Sequence, residues 1–290
     1  MGTAMVLISA VSFGSLGIFV KFAYIAGLGT TQALAFRFVL AAAGVWALAI
    51  LLGQNPARLK RNQLGMLVAL GALIYTAQAL TYFIALRSLP ASLVVLIAYI
   101  YPSLVVLAGW LFLRRSVSAW HGVALVATFL GVALLVGGAR FEVAWGLVFA
   151  IASPMIYTCY ILLGERVMGS VPALGASAVI MAGAAAAFCI LAALQHELRL
   201  PTTALGWGVA VGIALFPTMI AISFFLASLP RIGAARASLL STVEPVVTVL
   251  LAAALLGDRL SPVQLAGGAL VLLAVVMVQG LHLWRPAPIR

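Results

Sequence analysis

A carboxyl group stands in the middle of a stretch that is otherwise apolar. Glu244 is one of five acidic residues in the 290-residue chain, and it lies near the centre of an apolar run over about 234–256. A charged side chain at the bilayer centre costs about 2.5–3.5 kcal/mol on insertion scales, so such groups usually face a cavity or a partner. Glu244 could exchange protons during transport, or it could stay protonated and bond backbone groups. Because no Lys or Arg lies within one turn of it, the sequence favours the structural role.

Pro245 follows directly and interrupts the same helix. Because proline has no N–H to donate, the helix should kink and leave the Ser241 carbonyl without its usual partner. Ser238, Ser241, Pro245 and Thr248 are spaced to share one helical face. The stretch is therefore predicted to be a broken helix with a polar face.

The same pattern recurs in the first half of the chain. Pro102 and Pro245 are 143 residues apart. At the same offset, Leu96 matches Leu239 and Ser118 matches Ser261. The repeat predicts a duplication, divided into a first unit over 1–137 and a second over 138–290. Each unit holds five helices, an odd number, so the two units should be inverted in the membrane. Inverted repeats with broken helices are typical of secondary transporters.

The composition excludes a soluble protein. Hydrophobic residues make up 66% of the chain and charged residues 7%, whereas a soluble domain carries about 25% charged residues. The fold class predicted is an all-α polytopic membrane protein with ten transmembrane helices as two inverted five-helix repeats. The runs of spanning length are 3–24, 31–52, 64–86, 91–113, 119–136, 144–163, 173–194, 204–226, 234–256 and 262–283.

The basic residues indicate the orientation of the chain. Because they are spread through short connections, the net charge of +11 does not indicate nucleic-acid binding. The positive-inside rule assigns the side with more Lys and Arg to the cytoplasm. The side of the N-terminus has Arg58, Lys60, Arg61, Arg114, Arg115, Arg166, Arg231, Arg236, Arg285 and Arg290; the other side has Lys21, Arg37, Arg87, Arg140, Arg199 and Arg259. Both termini are therefore expected in the cytoplasm.

Tyrosines and other polar residues lie inside several of the apolar runs. Tyr75, Gln78 and Tyr82 share one face of the third run, which favours a pocket wall over simple interhelical bonding. The serine stripe that includes Ser12 in the first run could serve close helix packing or line a cavity. The predicted substrate-binding residues are Ser12, Tyr75, Gln78, Tyr82, Tyr99, Tyr101, Tyr157, Ser241 and Glu244.

Prolines inside four of the runs are predicted hinges. They are Pro102, Pro154, Pro217 and Pro245, and each should break or kink its helix. Kinked helices with tyrosine or hydroxyl faces are most simply explained by one shared cavity.

Catalytic and metal-binding patterns are missing from the sequence. There is no G-x-S-x-G, H-E-x-x-H or P-loop motif, and the three histidines are isolated. No enzyme activity, cofactor or metal is therefore predicted. Cys159 and Cys189 lie in apolar runs and are interpreted as small packing residues.

With these features the chain resembles the drug/metabolite transporter superfamily, in its EamA-type branch. The resemblance rests on the ten helices, the inverted halves, Glu244-Pro245 in the ninth helix, Arg37 within Phe36-Arg37-Phe38, and the Leu89-Pro90-Ala91-Ser92 entry to the fourth helix. Within the superfamily the chain is most similar to YddG-type exporters of aromatic amino acids. The resemblance implies a multi-pass exporter of the bacterial inner membrane, a cavity between the halves, and peripheral fifth and tenth helices. The repeat position of Glu244 is occupied by Tyr101, so a symmetric pair of carboxylates is excluded.

The function expected is export of small amphipathic metabolites, most of all amino acids including aromatic ones, by alternating access. An exporter of drugs or quaternary ammonium ions is the alternative, because an aromatic cage also binds cations. A membrane-embedded enzyme acting on lipid and a channel are less favoured. The partners expected are the small-molecule substrate and membrane lipid, without nucleic acid. A monomer is the working expectation for the oligomeric state.

Overall fold

The computed structural model describes residues 1–114, 116–137, 144–168 and 171–284, and throughout these ranges the regular elements are helices. Within these ranges, ten helices are long and apolar enough to cross a membrane, which confirms the predicted fold class. The spans are α1 Gly2–Ile25, α2 Thr30–Leu51, α3 Arg61–Ser88, α4 Ala91–Leu113, α5 Ala119–Gly137, α6 Trp145–Val167, α7 Ala173–Leu194, α8 Ala204–Ile232, α9 Arg236–Leu256 and α10 Pro262–Gly280. The predicted boundary between the two units, 137/138, borders residues 138–143, which lie outside the described ranges.

The pairing of the helices repeats between the halves. The most extensive contacts join α2 to α7 and α5 to α10, and α4 also packs on α9, so each of these helices meets its own repeat image. Two further large contacts, α3 with α6 and α8 with α1, are images of each other. This pattern is expected if a pseudo-two-fold axis relates the halves, because such an axis maps a contact between a helix and its image onto itself and every other contact onto a second one.

The breaks in α4 and α9 fall at matching positions. In α4 the chain turns at Tyr99 and Ile100, between the helices Ala91–Ala98 and Tyr101–Leu113; in α9 it turns at Thr242, between Ala234–Ser241 and Val243–Leu256. Thr242 is the repeat image of Tyr99. In both cases the proline follows in the first turn of the next helix, where its missing N–H costs nothing.

Wider π-helical segments recur in α3 and α8. They span Leu70–Tyr75 and Leu215–Ile220. A threonine hydroxyl in each region donates to the carbonyl five residues earlier: Thr76 Oγ1 to Gly71 O and Thr218 Oγ1 to Ile213 O, both at 2.9 Å. In α3 the backbone N–H of Thr76 also bonds the Gly71 carbonyl, so the hydroxyl adds a second donor to a carbonyl of the widened turn.

Two helices depart from the predictions made from proline. The helix Ala144–Met168 continues through Pro154, so the expected break there is wrong. Neighbouring helices can hold a proline-containing helix together in a membrane, and Thr158 Oγ1 donates to the Pro154 carbonyl at 2.8 Å. In contrast, α1 is interrupted at Ser15 without any proline. Whether the four prolines act as hinges stays a prediction.

Candidate functional site

A cavity of about 330 Å³ lies between the two halves. This volume is at the lower end of the range for small-molecule sites, about 300–1,000 Å³. Its described lining comes from every spanning helix except α5 and α10, which agrees with their expected peripheral position. The cavity brings together all predicted substrate-binding residues except Ser12, namely Tyr75, Gln78, Tyr82, Tyr99, Tyr101, Tyr157, Ser241 and Glu244.

The serine stripe of α1 serves helix packing. Ser12 is buried and does not line the cavity, and its carbonyl accepts a bond from Ser15 Oγ at 2.6 Å. Ser9 Oγ donates to the Ala221 carbonyl of α8 at 2.7 Å. From α1, the apolar Phe13 and Leu16 reach the cavity instead.

Five tyrosines form a continuous wall along the cavity. Tyr75 stacks on Tyr160 at 5.0 Å between ring centroids, and Tyr160 stacks on Tyr157 at 5.6 Å. Tyr157 meets Tyr101 edge to face at 4.9 Å, and Tyr101 meets Tyr99 at 5.9 Å. The wall therefore runs from α3 across α6 to α4. Tyr160 was not among the predicted binding residues, although it shares a helix face with Tyr157.

Gln78 is held by the neighbouring helix. Its Nε2 donates to Ser153 Oγ at 3.1 Å, and Ser153 Oγ lies 3.4 Å from the Gln78 carbonyl. Both residues line the cavity. The side-chain oxygen of Gln78 is thus left as an acceptor within the pocket wall.

The broken part of α9 is bonded to α4 through Tyr99. The Tyr99 hydroxyl donates to the Ser241 carbonyl at 2.7 Å and lies 3.1 Å from Glu244 Oε2. The Ser241 carbonyl, which Pro245 was expected to leave without a helical donor, therefore accepts a bond from elsewhere. The donor is the Tyr99 hydroxyl and not the Glu244 carboxyl. Periodicity along α9 could not identify this donor, because Tyr99 belongs to the other half of the protein.

Arg37 is a cavity residue that was absent from the predicted binding set. It is 5% exposed, and its Nε donates to Thr218 Oγ1 of α8 at 3.0 Å. The guanidinium carbon lies 5.0 Å from the Phe38 ring centroid and 5.8 Å from that of Phe83. The signal available in the sequence was a permanent charge within a spanning helix, the same kind of signal that singled out Glu244.

On the side of the bundle away from the N-terminus, two carboxylates bond helix starts of the other half. Asp258 Oδ2 accepts from Ser92 N at 3.1 Å and from Ser92 Oγ at 2.8 Å, joining the α9–α10 connection to the start of α4. Glu197 Oε2 accepts from Thr31 N at 3.2 Å and also bonds its hydroxyl. These contacts join the halves and satisfy N–H groups at helix starts, which favour negative charge.

On the side of the N-terminus, the matching contact between the halves uses an amide in place of a carboxylate. The cavity reaches Ser177 and Ser238, near the starts of α7 and α9 on the side of the N-terminus. The repeat image of the Glu197–Thr31 bond is present as Leu174 N donating to Gln54 Oε1 at 3.3 Å, with a neutral amide in place of the carboxylate.

A ten-helix membrane protein with inverted halves and a cavity at their interface has the architecture of a secondary transporter. The comparison with protein families agrees: the model of the EamA-like transporter family matches residues 1–137 and 144–279. The chain therefore belongs to the EamA-like transporter family.

Individual relatives support the same assignment. The uncharacterized transporter YcbK of Bacillus subtilis (strain 168) is 27% identical over 278 residues, which cover 92% of this chain and 88% of that protein. The uncharacterized transporter sll1319 of Synechocystis sp. (strain ATCC 27184 / PCC 6803 / Kazusa) is 25% identical over 214 residues, covering 72% of this chain and 64% of that protein. A protein of known crystal structure shares the fold with a TM-score of 0.66 at 21% identity, over 98% of this chain and 99% of that one.

Proposed function

We propose that this protein is a secondary transporter that exports amino acids with large apolar or aromatic side chains by alternating access. The observation that carries the proposal is the tyrosine wall, which faces the cavity beside the hydrogen-bonding groups of Gln78 and Ser241. Offset or edge-to-face contact with an aromatic ring contributes about 0.5–1.5 kcal/mol per pair. A wall of several rings therefore suits a ligand with one apolar end and one polar end.

Other activities fit the lining less well. A quaternary ammonium or drug exporter would also use aromatic faces, and it is the second candidate because tyrosines predominate. The described lining contains no histidine or cysteine and no Ser–His or Cys–His pair, so an enzymatic reaction on lipid is not proposed. The proposed partners are the substrate and the surrounding lipid, without nucleic acid, and a monomer suffices because one chain encloses the cavity. YddG-type specificity rests on resemblance alone.

Transport by purified protein in proteoliposomes tests the proposal. We expect saturable movement of phenylalanine, tryptophan or leucine down a gradient, and no movement of tetraphenylphosphonium. Gln78→Ala should lower the initial rate at subsaturating substrate by about 3- to 10-fold, because one hydrogen bond to the ligand is lost.

Thr81→Ala is the matched control for this experiment. Thr81 lies in the same helix, but its hydroxyl bonds the Ala77 and Gln78 carbonyls and does not line the cavity. The control should transport at the wild-type rate. Preference for tetraphenylphosphonium over amino acids would support the second candidate, and equal losses of rate and abundance in Gln78→Ala would assign Gln78 to packing.

Both termini are proposed to lie in the cytoplasm of a bacterial cell. The support is the excess of Lys and Arg on the side of the N-terminus, including Arg58, Lys60 and Arg61. Reporter fusions after Arg290 and within the 54–63 connection should both be active as cytoplasmic reporters. A periplasmic signal from either fusion would reverse the orientation.

A further inference from the structure

The guanidinium of Arg37 is a buried cation without a protein counter-charge in the described part of the chain. Its one hydrogen bond there is from Nε to Thr218 Oγ1, and its electrostatic neighbours are the hydroxyls of Tyr75 and Tyr82. The Thr218 hydroxyl donates its own proton to the Ile213 carbonyl at 2.9 Å, so it can only accept from Arg37. The two terminal nitrogens of Arg37 therefore remain as donors.

The residue that carries these donors borders the cavity. In the described part of the chain, the one buried side-chain nitrogen or oxygen without a partner is Gln279 Oε1, so the terminal nitrogens of Arg37 are not sealed in the protein interior without a partner. The faces of Phe38 and Phe83 lie against the guanidinium and restrict how it can reorient. The guanidinium is therefore held between two rings at the border of a space large enough for a small molecule.

The position of Arg37 also departs from the repeat. Its image at the offset of 143 residues is Ile180, just as the image of Glu244 is Tyr101. Arg37 therefore places one permanent positive charge in an otherwise pseudo-symmetric cavity. It lies about 9 Å along α2 from Thr31, at 1.5 Å per residue, and Thr31 is the residue that Glu197 bonds.

We propose that Arg37 binds the carboxylate of the transported molecule through its two terminal nitrogens. A carboxylate matches this fork with two parallel N–H···O bonds. One guanidinium balances a single negative charge, whereas a phosphate would require a second cation, and the described lining holds none. The inference rests on the proposed transport function and narrows its substrates to organic carboxylates with an apolar or aromatic body.

Three ligands with the same phenyl ring test the proposal. Binding of L-phenylalanine, 3-phenylpropionate and phenethylamine to the detergent-purified full chain is measured by calorimetry. Wild type should bind the two carboxylates and bind phenethylamine at least tenfold more weakly. Arg37→Gln should weaken binding of both carboxylates by about 10- to 100-fold, the loss expected for a charge-assisted bond. It should not weaken binding of phenethylamine, because removing a cation relieves repulsion of the ammonium group. Arg37→Lys should recover part of the affinity, since it restores the charge without the fork.

Two controls separate this role from a structural one. Lys21→Gln removes a positive charge from α1 outside the cavity lining and should leave all three affinities unchanged. Without ligand, Arg37→Gln should melt no lower than wild type, because a buried charge without a counter-charge does not stabilise a fold. A lower melting temperature with unchanged ligand preference would assign Arg37 to packing and overturn the proposal.

The remaining outcomes are also decisive. Equal binding of phenethylamine and phenylalanine by wild type, or no binding of either carboxylate, would overturn the proposal. Carboxylate binding that depends on Arg37, in a protein that moves no amino acid in proteoliposomes, would support the carboxylate site and refute amino-acid export. Amino-acid export with the same KM in Arg37→Gln would support export and refute the site.

Discussion

Gly71→Ala should prevent the protein from accumulating in a folded form. A Cβ atom at Gly71 would lie 2.0 Å from the Ile180 carbonyl oxygen and 2.8 Å from its carbon, and these are backbone atoms of α7 that cannot rotate away. The facing helix repeats the arrangement, since a Cβ at Gly183 would lie 2.6 Å from the Val68 carbonyl oxygen. Close approach of helix backbones through small residues is a principal source of stability in membranes.

The size of the effect can be measured against a neighbouring glycine. Overpacking costs about 1–3 kcal/mol or more when the surroundings cannot shift. Gly65 lies in the same helix, is exposed, and has nothing within 4 Å of a Cβ, so Gly65→Ala should be neutral or gain up to about 1 kcal/mol of helix propensity. Folded yield and apparent melting temperature in detergent should fall for Gly71→Ala and should be unchanged or rise for Gly65→Ala. Equal behaviour would mean that α3 and α7 are not this close.

Glu244→Ala should lower both transport and stability, whereas Glu244→Gln should preserve both. The Tyr99 hydroxyl has one proton, and the shorter contact, 2.7 Å, is to the Ser241 carbonyl, which can only accept. The 3.1 Å contact between Tyr99 and Glu244 Oε2 is then best completed by a proton on the carboxyl group. A glutamine amide can supply the same donor, but alanine cannot.

The expected loss in Glu244→Ala is about 1–3 kcal/mol of stability, the cost of removing one partner of a buried bond, with transport reduced at least tenfold. Tyr99→Phe is the companion variant: it removes the donor to the Ser241 carbonyl and should destabilise the protein by a similar amount. Initial rates across pH 5–8 and melting temperatures test both. If Glu244→Gln loses transport, or loses the pH dependence of wild type, the carboxyl titrates during the transport cycle and the structural role is wrong.

Much of the fold could be predicted because it depends on local and additive properties of the sequence. Hydrophobicity summed over about 20 residues identifies a spanning helix without knowledge of its neighbours. The offset between Pro102 and Pro245 identified the repeat, and the turns before both prolines lie at matching positions. Helical periodicity likewise placed Tyr75, Gln78 and Tyr82 on one face, and that face lines the cavity.

The sequence was least informative where the outcome depends on neighbouring helices. A proline removes one N–H, but whether the helix then breaks depends on the surrounding groups, so Pro154 stays within a continuous helix while α1 breaks at Ser15. A polar stripe on a helix can face either a cavity or another helix, and its own spacing does not decide between them. The stripe containing Ser12 faces neighbouring helices.

The sequence by itself determined ten membrane-spanning helices, an inverted repeat and an aromatic, hydroxyl-rich interior. Only the tertiary structure decided that Tyr99 bonds the broken turn at Ser241, and that Arg37 reaches the cavity beside Thr218. These pairs are separated by 142 and 181 residues in the chain. Helix formation is a property of consecutive residues, but the partner of a polar group inside a membrane depends on how helices rotate and pack against each other, which periodicity along one helix does not specify.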